Sequence, residues 1–167
     1  VERPISVRYV SAVLDSSGYS EAARNYIGAL LSVGVQVSVE PVTFEDSPSS
    51  PGKLGDLIAP HVRRDLPTDI NIIHLTPENF PRFLEPTKPN IGVTTWETDR
   101  LPKSWVSLIN SLDEVWIPSQ WNLEIFRASG VTKPCFVIPH TLNPEYMVPE
   151  EPSIGLVRPG DPDTYVF

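Results

Sequence analysis

The chain has 167 residues, 40% of them hydrophobic and 20% charged, a balance that suits one globular domain with a buried core and excludes an intrinsically disordered chain. The formal net charge is −8 and the Lys and Arg residues are scattered, so there is no basic stripe for a nucleic-acid backbone. The lone cysteine, Cys135, excludes an internal disulfide and any cysteine-based zinc site.

Cys135 lies among Phe136, Val137 and Ile138 and reads as a small buried apolar residue. No apolar run has the length of a membrane-spanning helix, and the first residues lack the charged-then-apolar form of a signal peptide. The expectation is a cytoplasmic protein. Peripheral contact with a membrane stays open, although no basic amphipathic helix argues for it.

In chain order, residues 5–14 pass from an alternating pattern to a solid apolar run, as in a strand entering a covered sheet. Ser16, Ser17, Gly18, Tyr19 and Ser20 break that run. A helix is predicted over residues 21–33, with Ala22, Ala23, Tyr26, Ile27, Leu30 and Leu31 on one face, Ser20 as N-cap and Gly34 just past its end. Val35, Val37 and Val39 alternate with polar residues and give a second strand. Residues 44–52 read as a loop rich in Ser and Pro, followed by a helical stripe of Leu54, Leu57, Ile58, His61 and Val62.

Further strands are predicted over residues 70–75, 90–96, 114–117 and 134–138, and helices over 102–112 and 119–129, the last capped by Ser119 and closed by Gly130. Alternating strands and helices with short connections predict an α/β fold: a Rossmann-like, doubly wound parallel sheet with helices on both faces. Most of the prolines fall between these segments, where proline belongs.

Open parallel sheets bind ligands outside the carboxyl ends of their strands. Those ends carry Gly18, Tyr19 and Ser20 after the first strand, His74 and Thr76 after the third, and Trp96, Glu97 and Thr98 after the fourth. Ser119 follows the fifth and His140 the sixth. Gly18 before a helix suits backbone N–H groups facing an anion. There is no G-x-G-x-x-G fingerprint and no phosphate loop of the G-x-x-x-x-G-K-[ST] type, which argues against dinucleotide and triphosphate binding by this domain. A carboxylate after a buried strand, as at Glu97, is costly unless paired or solvated and so favours function.

Four segments then carry a resemblance: Gly-Tyr-Ser-Glu-Ala-Ala-Arg-Asn at 18–25, Thr-Trp-Glu-Thr-Asp-Arg-Leu-Pro at 95–102, Asp-Glu-Val-Trp-Ile-Pro-Ser at 113–119 and Ile-Pro-His-Thr-Leu-Asn-Pro at 138–144. In this order they resemble the N-terminal half of retaining, GT-B type glycosyltransferases of the group that includes sucrose and mannosyl transferases. The resemblance implies one half of a GT-B fold: residues 1–147 as an acceptor-binding domain, and 148–167 as a Pro-rich segment leading to a donor-binding domain beyond this chain. Relatives usually carry a glutamate pair eight positions apart in the donor half, and no two glutamates here have that separation.

The activity implied is transfer of a sugar from a nucleotide-sugar donor to a carbohydrate or glycolipid acceptor with retention, without cofactor or bound metal, and silent in the isolated half. Glu97, standing where relatives often have histidine, and His74, from its place on the rim of strand ends, are the expected catalytic residues. Gly18, Tyr19, Ser20, Thr76, Trp96, Thr98, Ser119 and His140 would then bind donor phosphate or acceptor, and an exposed cleft face would favour self-association. Two alternatives stay open: a free-standing Rossmann-like module that binds carbohydrate or protein, and half of a GT-B type epimerase or phosphorylase.

Overall fold

The computed structural model describes residues 3–43 and 52–142. The loop predicted at 44–52 therefore lies almost wholly outside the described residues, and the Pro-rich segment at 148–167 lies outside them altogether. The strands are β1 (Ser6–Ser11), β2 (Gln36–Pro41), β3 (Ile70–His74), β4 (Asn90–Val93), β5 (Glu114–Ile117) and β6 (Cys135–Val137). The helices are α1 (Gly18–Ser32), α2 (Gly52–Ile58), α3 (Lys103–Ile109) and α4 (Gln120–Ser129). All six strands pair in parallel, in the order β2-β1-β3-β4-β5-β6. This is an α/β, Rossmann-like fold.

Side chains alternate across each strand, so the sheet builds two apolar layers. On one face Val7, Tyr9, Val37, Val39 and Ile72 pack with Ala23 and Ile27 of α1 and Ile58 of α2. On the other, Val10, Ile73, Val115 and Ile117 pack with Trp105 and Ile109 of α3 and Phe126 of α4. Each large apolar side chain so buried contributes about 1.5–3 kcal/mol. Cover is uneven: Phe136, in register with Trp116 on the α1 side of the edge strand, is 48% exposed.

The chain ends of α4 form as the sequence predicts. Ser119 is extended (φ −149°, ψ 159°) and accepts the Asn122 backbone N–H, and Gly130 closes the helix at φ 104°. At α1 the cap is Ser17, not Ser20: Ser17 has the extended backbone and accepts the Ser20 N–H at 3.1 Å. Gly18 thus becomes the first helical residue. β4 stops at Val93, three residues short of the predicted end at Trp96, and Cys135 is only half-buried, with its thiol directed to the Lys133 carbonyl.

A 3₁₀ turn at Pro77–Arg82 had no counterpart in the periodicity. Its prolines at 77 and 81 read as breakers of an α-helix, but a short 3₁₀ piece tolerates the missing N–H groups. It delivers Phe80, fully buried, to the second apolar layer. That layer is tight around Gly92 of β4, where an added Cβ would lie 2.4 Å from Leu112 Cδ1 and 3.2 Å from the Phe80 ring. Leu112 and Phe80 are themselves fully buried and cannot swing aside. Gly92→Ala should therefore destabilise by about 1–3 kcal/mol, read as a lower urea midpoint at unchanged slope; an unchanged midpoint would mean slack in this layer.

Candidate functional site

The strand order reverses direction beside β1: β2 lies on one side of it and β3 to β6 on the other. Ligand crevices form at such a reversal, outside the carboxyl ends of the strands. A cavity of about 390 Å³ opens there, lined by residues that end β3 or follow β1, β4, β5 and β6. Gly18, Tyr19, His74, Glu97 and His140 all contribute to it. A second cavity of about 270 Å³ adjoins it and takes Thr76, Trp96 and Thr98. Tyr19, Thr95 and Glu97 line both.

The α1 side of the site is braced by one buried guanidinium. Arg24, 6% exposed, donates through Nη1 to the carbonyls of Val13 and Asp15, at 3.1 and 3.0 Å, and to Ser20 Oγ at 2.6 Å. Its Nη2 pairs with Glu21 at 2.8 Å. Asp15 in turn takes the Ser17 backbone N–H and hydroxyl on Oδ1. Loop and first helical turn are thus one hydrogen-bonded unit that presents Gly18 and Tyr19. The carboxylates of Asp15 and Glu21 already answer the positive end of α1. Ser20 is fully buried, spends its hydroxyl on Arg24, and lines neither cavity.

His74 ends β3 and is 2% exposed. β1 holds it twice: Ser11 Oγ donates to its carbonyl at 2.8 Å, and Tyr9 Oη lies 2.9 Å from Nδ1. The rings of Tyr19 and Tyr26 stand 5.5 and 5.6 Å from the imidazole. Burial, then the neighbouring His140, pull the His74 pKa down to about 3, so it is neutral at physiological pH. Burial first and the Tyr26 hydroxyl second hold the Tyr9 phenol well above the usual tyrosine range. Tyr9 is therefore always protonated, and Nδ1 is the sole partner of its hydroxyl among the described residues. The hydroxyl donates to Nδ1, which places the imidazole proton on Nε2. His74 meets the cavity as an uncharged N–H donor.

His140 arrives by a long-range bond. Tyr26 Oη on α1 donates to the Ile138 carbonyl at 2.7 Å, drawing the chain after β6 back toward α1. The His140 ring then lies 6.0 Å from that of Tyr26, at the exposed edge of the cavity. Partial burial lowers its pKa, and burial raises that of Tyr26 to about 12. Tyr19 Oη meets Thr94 Oγ1 at 3.0 Å across the floor.

Glu97 is not where a buried strand would carry it. Because β4 ends at Val93, Glu97 stands on an exposed loop; the cost of burying a carboxylate therefore says nothing about it. What singles it out is position, on the wall common to both cavities. Ser119 lines neither. It acts at one remove: its cap sets the first turn of α4, and there buried Asn122 accepts the Trp96 N–H at 3.0 Å and donates to the Trp96 carbonyl at 3.1 Å.

Sequence reasoning missed Tyr26, Thr94, Thr95 and Pro118 as lining residues, and Arg24 and Asn122 as supports. Thr94, Thr95 and Pro118 do sit at strand ends and were open to the same reading. Tyr26 was assigned to the apolar face of α1, which is correct for its ring and silent about its hydroxyl.

Among the described residues no Lys or Arg lines either cavity. The arrangement presents the imidazoles of His74 and His140, several hydroxyls, one exposed carboxylate and aromatic rings, which suits an uncharged polyhydroxylated ligand better than a phosphate. No group of three or more His, Cys, Asp and Glu among the described residues could hold a metal ion, and no described helix is long and apolar enough to cross a membrane. No family model matches the chain, and a search of curated proteins finds no match.

Proposed function

We propose that this domain is the acceptor-binding half of a two-domain GT-B type glycosyltransferase, in which a separate donor half supplies the nucleotide sugar. The supporting observation is the cavity at the reversal of strand order, built from hydroxyls, an imidazole N–H, a carboxylate and aromatic rings without a cationic side chain among its described lining. That chemistry recognises a sugar hydroxyl and leaves the charged diphosphate to the other half. The four ordered sequence motifs support the same reading.

In this role Glu97 accepts a hydrogen bond from the acceptor hydroxyl and orients its oxygen. His74 donates through Nε2–H to a neighbouring oxygen of the acceptor. The acceptor oxygen bonds to the anomeric carbon as the bond to the diphosphate breaks, and the departing diphosphate takes the hydroxyl proton. The domain contributes orientation, which is worth several orders of magnitude when geometry is held tightly.

In the two-domain enzyme, Glu97→Ala should lower turnover by about 10²-fold, measured as sugar transfer at saturating donor. Turnover at the wild-type level would remove Glu97 from the site. Titrated by tryptophan fluorescence, the 167-residue chain should bind simple glycosides weakly and nucleotide sugars not at all. Tight nucleotide-sugar binding would overturn the division of roles.

A further inference from the structure

The second cavity is more than an extension of the first. Its walls are Trp96 and Trp105, whose rings meet edge to face with centroids 4.6 Å apart, together with Thr76, Thr95 and Thr98. Both indole N–H groups are already used: that of Trp105 donates to Glu78, and that of Trp96 to the Arg100 carbonyl at 2.8 Å. What the rings present is carbon surface. The threonine hydroxyls supply polar atoms beside it; Thr76 Oγ1 accepts from Asn79 at 3.1 Å and keeps its own proton to donate.

The platform is also held in advance of any ligand. Asn122 grips the backbone of Trp96 through both its N–H and its carbonyl, and Asn122 is itself fixed in the capped first turn of α4. A binding surface whose geometry is already set loses little conformational entropy on binding. Aromatic carbon beside hydroxyls, with a carboxylate at one edge, matches a pyranose ring: one apolar C–H face and a belt of hydroxyls.

We propose that the two cavities are consecutive saccharide subsites, so that the acceptor is at least a disaccharide, with the reacting unit in the His74 cavity, the next unit against Trp96, and Glu97 accepting hydroxyls at the junction. This rests on the acceptor-binding reading given above and deepens it. The first cavity alone would serve a monosaccharide acceptor. The second, sharing Tyr19, Thr95 and Glu97 with it, has no part in such a reaction.

The test compares affinities of the 167-residue chain for methyl glycosides of glucose, galactose, mannose and N-acetylglucosamine with those for disaccharides of the same units, by isothermal titration or ligand-observed NMR. At least one disaccharide should bind about 10-fold tighter than its monosaccharide, the gain expected from one extra charge-assisted hydrogen bond with ring contact. Trp96→Leu should bring that ratio toward one. Thr98→Val, at an exposed position whose hydroxyl makes only a long 3.5 Å bond to the Arg100 carbonyl, should reduce it too and covers the case in which the Trp96 variant fails to fold.

Equal affinity for mono- and disaccharides would overturn the second subsite and leave the acceptor-binding reading standing. A disaccharide preference indifferent to both substitutions would place the second unit elsewhere and overturn the proposal. Octyl glycosides gaining as much as disaccharides, with the gain lost in Trp96→Leu, would assign the cavity to an apolar tail and overturn it as well. Absence of binding by every saccharide would instead overturn the acceptor-binding reading, and this proposal with it.

Discussion

Lowering the pH below 6.5 should cost this protein stability well before its carboxylates titrate. The cause is His74, which is buried, neutral, and shifted down to about 3 in the fold. In the unfolded chain a histidine titrates near 6.5. Below that pH the unfolded state takes up a proton that the folded state refuses, so stability falls as pH falls, by a limiting slope of about 1.4 kcal/mol per pH unit, until the folded value is reached. His140 is shifted in the same direction and adds to the upper part of this window.

Between pH 6.5 and 5 ordinary carboxylates, with unfolded values near 4, contribute little, so the histidines dominate there. Urea unfolding at pH 7.5, 6.5 and 5 should therefore show a loss of about 2 kcal/mol across the lower step. His74→Gln retains an acceptor for the Tyr9 hydroxyl and has no imidazole there to titrate; its loss over the same step should shrink to the smaller share that His140 contributes. Parallel pH profiles for the two proteins would show that His74 protonates freely in the fold, and the neutral-donor role assigned to it would fall.

Arg24→Met should be the most damaging single substitution on the α1 side of the site. Methionine fills much of the same buried space but leaves the carbonyls of Val13 and Asp15 and the Ser20 hydroxyl without their donor. A buried polar group stripped of its partner costs about 1–3 kcal/mol; the Glu21 carboxylate, 41% exposed, stays solvated and adds little. A loss of about 2–3 kcal/mol by urea denaturation is the expected result. Arg24→Lys should recover part of it, because an ammonium keeps the charge without the planar fork that reaches several acceptors at once.

The same substitution should loosen the unit that presents Gly18 and Tyr19. Saccharide affinity should fall in the folded fraction of Arg24→Lys, where the charge survives but the bracing is incomplete. Stability of Arg24→Met within about 1 kcal/mol of the wild type would show that water replaces the guanidinium, and the bracing argument would fail.

These two residues mark where reading the sequence stops. His74 was legible as a polar residue at the end of an apolar strand, and its place in the cavity followed from parallel-sheet topology alone. Its tautomer did not, because that depends on Tyr9, whose hydroxyl is invisible to a periodicity that counts the ring as apolar. Arg24 sits on α1 outside the apolar face predicted for that helix. Only the approach of Val13 and Asp15 from the preceding loop gives it acceptors, and so makes burial tolerable.

The sequence by itself determined the alternation of strand and helix, the bounds of β5, the cap and close of α4, and the rim on which polar residues gather. Each depends on contacts between residues a few positions apart, or on the two-residue and 3.6-residue periods of an amphipathic chain. Tertiary structure decided the rest. It ended β4 at Val93 and so put Glu97 in solvent, hid Ser20 behind Arg24, and turned Ser119 into a support for Trp96 through Asn122. It also joined Tyr26 to Ile138 and brought His140 to the cavity. The physical reason is common to all of these. A hydrogen-bonding group satisfies itself with whichever partner the packed core brings within about 3 Å, and the identity of that partner is not written in the neighbouring residues.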